Sequence, residues 1–353
     1  MTGLAASAPR PAETSAGFVL ARRARWRPGE TAFWTLVILA VLALPSRYLL
    51  INEIAILALF ALSLDLILGY AGIVSLGQAA FFGIGAYIAG LLAKQGIGDP
   101  TLGLLIGGGS AAFIGFVTSF LVLRGSDLTR LMVTLGVASL LGELANQLPS
   151  VTGGADGLQG VAPGPVLGLF AFDIFGRTAC VYSLTVLFLT FIIARRIVYS
   201  PFGLSLRSIR DNPLRAAAIG IPVSRRLIAI YTVAAAYAGL AGGLLAQTTQ
   251  FVSLDVFDFS RSADVLLVLI IGGAGWLYGG LIGAAVFRVL QDIFAAITPE
   301  HWQFFIGLVL VCLVLVGRER LGRAARLILR IDAGGLGASF RRRLITARSQ
   351  GPG

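Results

Sequence analysis

The sequence holds one lysine, one histidine, two cysteines and two methionines in 353 residues, and only 13% of its positions are charged. Each scarcity closes a class of function. Lys94 stands in LLAKQG, without the GxxxxGK[ST] spacing that cradles nucleotide phosphates, so the chain has no ATPase site of that kind. His301 sits at a loop edge, and Cys180 and Cys312 each fall inside an apolar run, so neither metal-ligand spacing nor redox pairing is present. Paired carboxylates and Ser/His/Asp sets are missing too, which leaves an enzyme without its chemistry. The expectation is a chain with no catalytic residues, no cofactor and no metal of its own.

What the chain has in abundance is apolar sequence: 57% of its residues are hydrophobic and 45 are glycine. A water-soluble fold has no means of hiding that much apolar surface. Runs such as Leu102 to Val122 and Tyr182 to Ala194 are apolar on all sides and approach the roughly 20 residues a helix needs to cross a bilayer. A membrane β-barrel instead shows alternating segments of about 10 residues. The fold class expected is therefore an all-α polytopic membrane protein. The net charge of +11 does not point to nucleic acid, because the arginines cluster at the ends of apolar runs and in both tails, where the positive-inside rule puts them.

Spans are expected near 31–47, 49–69, 74–94, 101–123, 131–149, 177–196, 227–247, 262–276, 279–297 and 302–317. Arginines 22–27, Arg124 with Arg130, and Arg195 to Arg226 then share the cytoplasmic side. The arginine-rich C-terminus needs an even number of crossings, which ten satisfies and eight also would. Residues 1–30 read as a disordered cytoplasmic tail, 31–317 as the membrane domain and 318–353 as a basic cytoplasmic tail. Within that last tail Glu319 to Ile331 suits an amphipathic helix on anionic lipid. Ser262 to Trp276 is short for a crossing and ends in Gly-Gly-Ala-Gly, as a re-entrant or broken helix would. LILGYAGIVSLG (Leu66 to Gly77) and LIIGGAGWLYGG (Leu269 to Gly280) align without gaps, a match that a duplicated unit or chance between glycine-rich helices would each produce.

A carrier that works on an ion gradient needs a titratable group in the membrane interior. Glu53, Asp65, Glu143 and Asp264 fall near span ends, where water or headgroups solvate them, and Asp292 has Arg288 one turn before it on the same face. In the third span Ser75, Gly77, Gln78, Gly83 and Tyr87 are candidate lining of a path for a small zwitterion. Gly272, Gly273 and Gly275 are the counterparts near the C-terminus. Tight helix packing explains most of these glycines equally well.

SPFGLSLRSIRDNPLRAAAIGI (Ser200 to Ile221) carries four charges between apolar flanks. Pro201 and Gly203 break the incoming helix, Leu204 to Arg210 form an amphipathic turn, and Asp211-Asn212-Pro213 cap a short helix, Leu214 to Ile219, that Gly220 ends. A docking knob on the cytoplasmic surface is expected.

The segment resembles the coupling loop of ABC importer permeases, with Arg215-Ala216-Ala217-Ala218-Ile219-Gly220 as its alanine-rich helix. Together with LGYAGIVSLGQAAFFGIGAYIAG (Leu68 to Gly90), TGGADGL (Thr152 to Leu158) and IGGAGWLYGGLIGAA (Ile271 to Ala285), it is similar to the LivM-type branch of the branched-chain amino acid ABC transporter permeases over about residues 49–317. The chain departs from that pattern after the last span, where Gly317-Arg318-Glu319-Arg320-Leu321 replaces Pro-Arg-Gly-Leu. The resemblance implies a subunit of the bacterial inner membrane that imports branched-chain or related amino acids. It implies four partners: a second, LivH-type permease, two ATPase subunits that bind the ATP, and a periplasmic binding protein. Coupling to the ATPases falls to Ser200, Pro201, Phe202, Gly203, Arg207, Arg210, Asp211, Asn212, Arg215, Ala216, Ala217 and Gly220, with Arg207 and Arg210 as the leading partner contacts. Thr152, Gly153, Gly154 and Asp156 form a periplasmic loop suited to binding-protein docking or outer gating. The competing expectation is a secondary transporter driven by an ion gradient.

Overall fold

The computed structural model describes residues 28–96, 99–166, 168, 170–173, 175–297, 304–309 and 311. The polar tail up to residue 27, His301, Cys312 and the basic tail 318–353 lie outside the described residues.

Membrane-grade apolar runs fold as helices because a helix satisfies its own backbone polar groups. In chain order these are α1 (Pro28–Ala43), α2 (Tyr48–Leu64, continued by a π turn, Asp65–Gly69), α3 (Gln78–Lys94), α4 (Pro100–Val122), α5 (Asp127–Asn146) and α6 (Arg177–Val198). Two short helices follow, α7 (Pro201–Asp211) and α8 (Pro213–Ala218), and then α9 (Val223–Thr249), α10 (Phe259–Gly272) and α11 (Leu277–Ile297). Six segments among the described residues are long and apolar enough to cross a membrane: Pro45–Gly69, α4, α5, α6, α9 and α11. α1 and α3 are shorter apolar helices. At 14 residues α10 rises only about 21 Å, less than the hydrocarbon core, which fits the short, broken helix expected there. Of the last expected span, residues 304–309 are helical.

Caps mark the turns. Asp99 accepts from the Thr101 amide at 3.0 Å ahead of Pro100, and Ser126 starts α5 the same way over Thr129.

The chain divides into two compact units, one up to Val289 and one from Leu290. In the first, α9 packs most extensively on α4 and α3. A Cβ at Gly85 of α3 would collide with the Gly239 carbonyl of α9, and one at Gly107 of α4 would come within 2.9 Å of the Gly85 carbonyl. Three backbones thus meet with no side chain between them. Around this seam, buried hydrogen bonds hold α6. Tyr237 donates to the Thr190 carbonyl at 2.8 Å, Ser183 donates to Asn52 Oδ1 at 2.6 Å, and Gln247 receives Tyr182 at 3.2 Å while donating to the Pro100 carbonyl at 2.7 Å. By contrast α5 is mostly exposed, with Leu128, Met132, Leu140 and Leu144 uncovered. In the second unit Phe294 and Phe305 stack with centroids 5.7 Å apart.

Candidate functional site

Residues 70–77 interrupt the passage from α2 to α3, and residues 273–276 interrupt that from α10 to α11. These are the two segments that match in sequence, and they match in conformation: Gly72 and Gly275, aligned partners, both take left-handed φ values, 74° and 79°. The two breaks pack directly on one another. A Cβ at Gly69 would strike the Gly275 amide nitrogen, and that amide donates to Asp65 Oδ1 at 2.7 Å. Asp65 is fully buried. The expectation that water or headgroups solvate it at a span end is corrected: the second break folds over it. Glu53 instead takes Arg288 of α11 as its ion partner and Glu143 is exposed, while Asp264 is partly covered.

The first break is stitched along its length. Leu76 donates to Thr134 Oγ1 of α5 at 3.4 Å and Ala79 to Ser262 Oγ of α10 at 3.0 Å. Gln78 donates to Ser63 at 3.2 Å, while its Oε1 is buried without a hydrogen-bond partner among the described residues. Ser75 supports Tyr231 of α9. Beyond it, Gly83 lies against the Phe257 ring, on which Tyr87 stacks at 5.6 Å. The candidate path residues Ser75, Gly77, Gln78, Gly83 and Tyr87 therefore sit within the chain's own packing in this conformation, as do Gly272 and Gly273.

The segment from Ser200 folds as two helices because both starts are capped. Ser200 Oγ accepts from the Gly203 amide at 3.4 Å with Pro201 at the first helical position, and Asn212 Oδ1 accepts from the Arg215 amide at 2.9 Å ahead of Pro213. Gly220, at φ 86°, ends α8, with the Ile221 amide reaching back to the Ala216 carbonyl at 3.1 Å. Gly203 does not break a helix as expected. It lies in the first turn of α7, where a Cβ would collide with the Val198 carbonyl, so the absent side chain permits the sharp turn out of α6. α8 projects: Leu214 is 83% exposed and Ile219 69%, beside exposed Arg215 and Ala217, while Ala216 is buried as the foot of the knob.

Both arginines of α7 reach the first break, Arg207 half-buried and Arg210 with 41% of its side chain still exposed. Arg210 Nη1 donates to the Gly69 carbonyl, and the guanidinium of Arg207 lies 5.3 Å over the Tyr70 ring. Tyr70 is hydrogen-bonded to the Leu277 backbone, and its hydroxyl is pushed well above its usual range, chiefly by burial and further by the Asp65 charge, so it stays protonated. A cavity of about 660 Å³ opens beside this junction, lined by Glu30, Phe33, Tyr199, Arg207, Trp276 and Tyr278.

TGGADGL forms a turn bolted to the opposite end of α5. Thr152 Oγ1 donates to the Ala145 and Leu148 carbonyls at 2.6 and 2.8 Å and accepts from the Gly154 amide at 3.2 Å. Leu158 and Val252 exchange backbone hydrogen bonds, leaving Ala155, Asp156 and Gln159 exposed.

The family model for the permease component of branched-chain amino acid transport systems matches residues 48–314, which take in α2 through α11 with both breaks and the capped pair α7 and α8, and leave α1 outside. The chain belongs to this family. It is accordingly a multi-pass protein of the bacterial inner membrane. The high-affinity branched-chain amino acid transport system permease protein LivM of Escherichia coli is 27% identical over 73% of the chain, which spans 65% of that relative's length. The ribose import permease protein RbsC of Bacillus subtilis is 25% identical over 77% of the chain and 84% of its own length. The fructose import permease protein FrcC of Rhizobium meliloti is 25% identical over 76% of each. No solved structure matches the chain. For this family member, the signal that sequence reasoning missed was Asp65, four residues before Gly69 and so one helical turn from the break.

Proposed function

We propose that the chain is a permease subunit of an ABC importer that moves branched-chain or related small amino acids, powered by two separate ATPase subunits that dock on α8. A LivH-type permease and a periplasmic binding protein complete the assembly. The observation that carries this reading is the knob itself, a capped helix whose large apolar side chain, Leu214, and the Ile219 that follows its last turn stand in solvent next to Arg215. Exposed apolar groups flanked by a charge suit insertion into a partner's cleft. Amino acid cargo is supported by the family description and the LivM likeness, against which the sugar permeases weigh. The gradient-driven alternative draws on one observation, the buried Asp65 carboxylate, whose Oδ2 has no hydrogen-bond partner among the described residues.

The test is mass-spectrometric identification of what co-purifies with the tagged chain from its native membrane. Two P-loop ATPases and a second permease are expected, and the ATPases are lost from the Leu214→Asp/Ile219→Asp variant. Recovery of the chain alone in both preparations refutes the importer reading.

A further inference from the structure

We propose that Arg210 is a positioning residue that clasps the two helix breaks to the docking segment, so that a displacement of α7 and α8 moves residues 65–77 and 273–276 as one body. The inference rests on the importer reading above.

Three separate pieces of chain meet at this side chain. Its Nη1 donates to the Gly69 carbonyl at the end of the π turn. Its aliphatic stem lies on Gly72, where a Cβ would come within 2.7 Å of Arg210 Cγ, and a Cβ on Gly275 would stand 3.1 Å from Nη1. Nη2 lies 3.6 Å from Asp211, the last residue of α7. Gly72 and Gly275 both occupy the left-handed region, so each break leaves a notch with no side chain, and the arginine fills the first and borders the second.

Behind the guanidinium, Asp65 holds the Gly275 amide and feels the Arg210 charge. One turn earlier on α7, Arg207 covers Tyr70, which is itself bonded to the Leu277 backbone. Apart from the Arg210–Asp211 pair within α7, the ties in this set join α7 to the two breaks or the first break to the start of α11 and the second break. A planar guanidinium can hold a backbone carbonyl and a carboxylate from one rigid fork, which a point charge cannot. A side chain needed only for docking would face away from the membrane helices. One arm of Arg210, Nη1, reaches into them, while Nη2 stays on the side of exposed Asp211.

The consequence is mechanical. α8 carries the apolar knob, α7 joins it through the Asn212 cap, and Arg210 joins α7 to both breaks. A push from below has a continuous path of hydrogen bonds and packed backbone to the two places where the membrane helices are already interrupted.

The experiment uses the full complex in nanodiscs with its ATPases and binding protein, comparing wild type, Arg210→Ala and Arg210→Met. Methionine keeps a stem over Gly72 and removes the guanidinium, so it carries the test if the alanine variant fails to fold. Three quantities are read: ATPase subunits retained, ATP hydrolysed, and substrate moved per ATP. The clasp predicts retained assembly and hydrolysis with transport per ATP reduced by about tenfold, the scale of losing one charged hydrogen bond. Hydrogen exchange adds a readout independent of cargo: amides in 65–77 and in 273–277 loosen together. Unchanged transport per ATP, or loosening of one break alone, overturns the proposal. Loss of the ATPases from both variants overturns it in favour of a direct partner contact. Failure of wild type to recover any ATPase refutes the importer reading instead.

Discussion

The Asp65 carboxylate distinguishes two kinds of machine. Its Oδ1 accepts the Gly275 amide at 2.7 Å in a site with no exposure. Asp65→Ala leaves a buried N–H with no acceptor, a penalty of about 1–3 kcal/mol, so the break opens roughly 5- to 150-fold more often. Asp65→Asn keeps an oxygen in place; a neutral acceptor is weaker than a charged one by about 1 kcal/mol, a factor of roughly five. Hydrogen exchange on peptides covering 273–277, read by mass spectrometry in nanodiscs, measures that opening directly. The expected order is wild type slowest, asparagine within about fivefold, alanine well beyond it, with ATP-driven uptake falling in the same order. If asparagine exchanges as fast as alanine, or alanine as slowly as wild type, the carboxylate does not hold the break. If uptake vanishes in the asparagine variant while exchange barely changes, the group works by titration, as a gradient-driven carrier requires.

Gly85→Val forces a side chain into the Gly239 carbonyl and lowers the thermal midpoint of the detergent-solubilised chain, at about 1–3 kcal/mol or more of overpacking. Gly109→Val, whose Cβ would meet nothing within 4 Å, leaves that midpoint nearly unchanged. Thr152→Val removes a hydroxyl that serves two carbonyls and one amide, so limited proteolysis cuts residues 149–176 faster, whereas Thr152→Ser stays close to wild type.

Much of this architecture follows from local pattern. Apolar runs, prolines and cap residues placed α1 through α11 within a few residues of their observed bounds. Asn212-Pro213 announced a capped helix because capping acts over three residues, whereas the matching Ser200-Pro201 cap of α7 was read as a break. Asp65 was misplaced because hydropathy reports a position along a helix, while burial there depends on a loop 210 residues away folding across it. Arg207 and Arg210 read as partner contacts from the sequence, and their ties to Tyr70 and Gly69 were not legible there, because the glycine notches beside Arg210 are made by residues remote in sequence. Gly203 looked like a breaker because glycine usually is one, yet here it relieves a steric contact with Val198.

The contact of Gly85, Gly107 and Gly239 sets a boundary on how the molecule changes state. Where these backbones touch there are no side chains to re-rotamer and no gap to close, so α3, α4 and α9 resist compression at this point and act as a keel. On the importer reading, alternation between inward and outward forms passes around this keel, through the glycine-jointed breaks at residues 70–77 and 273–276.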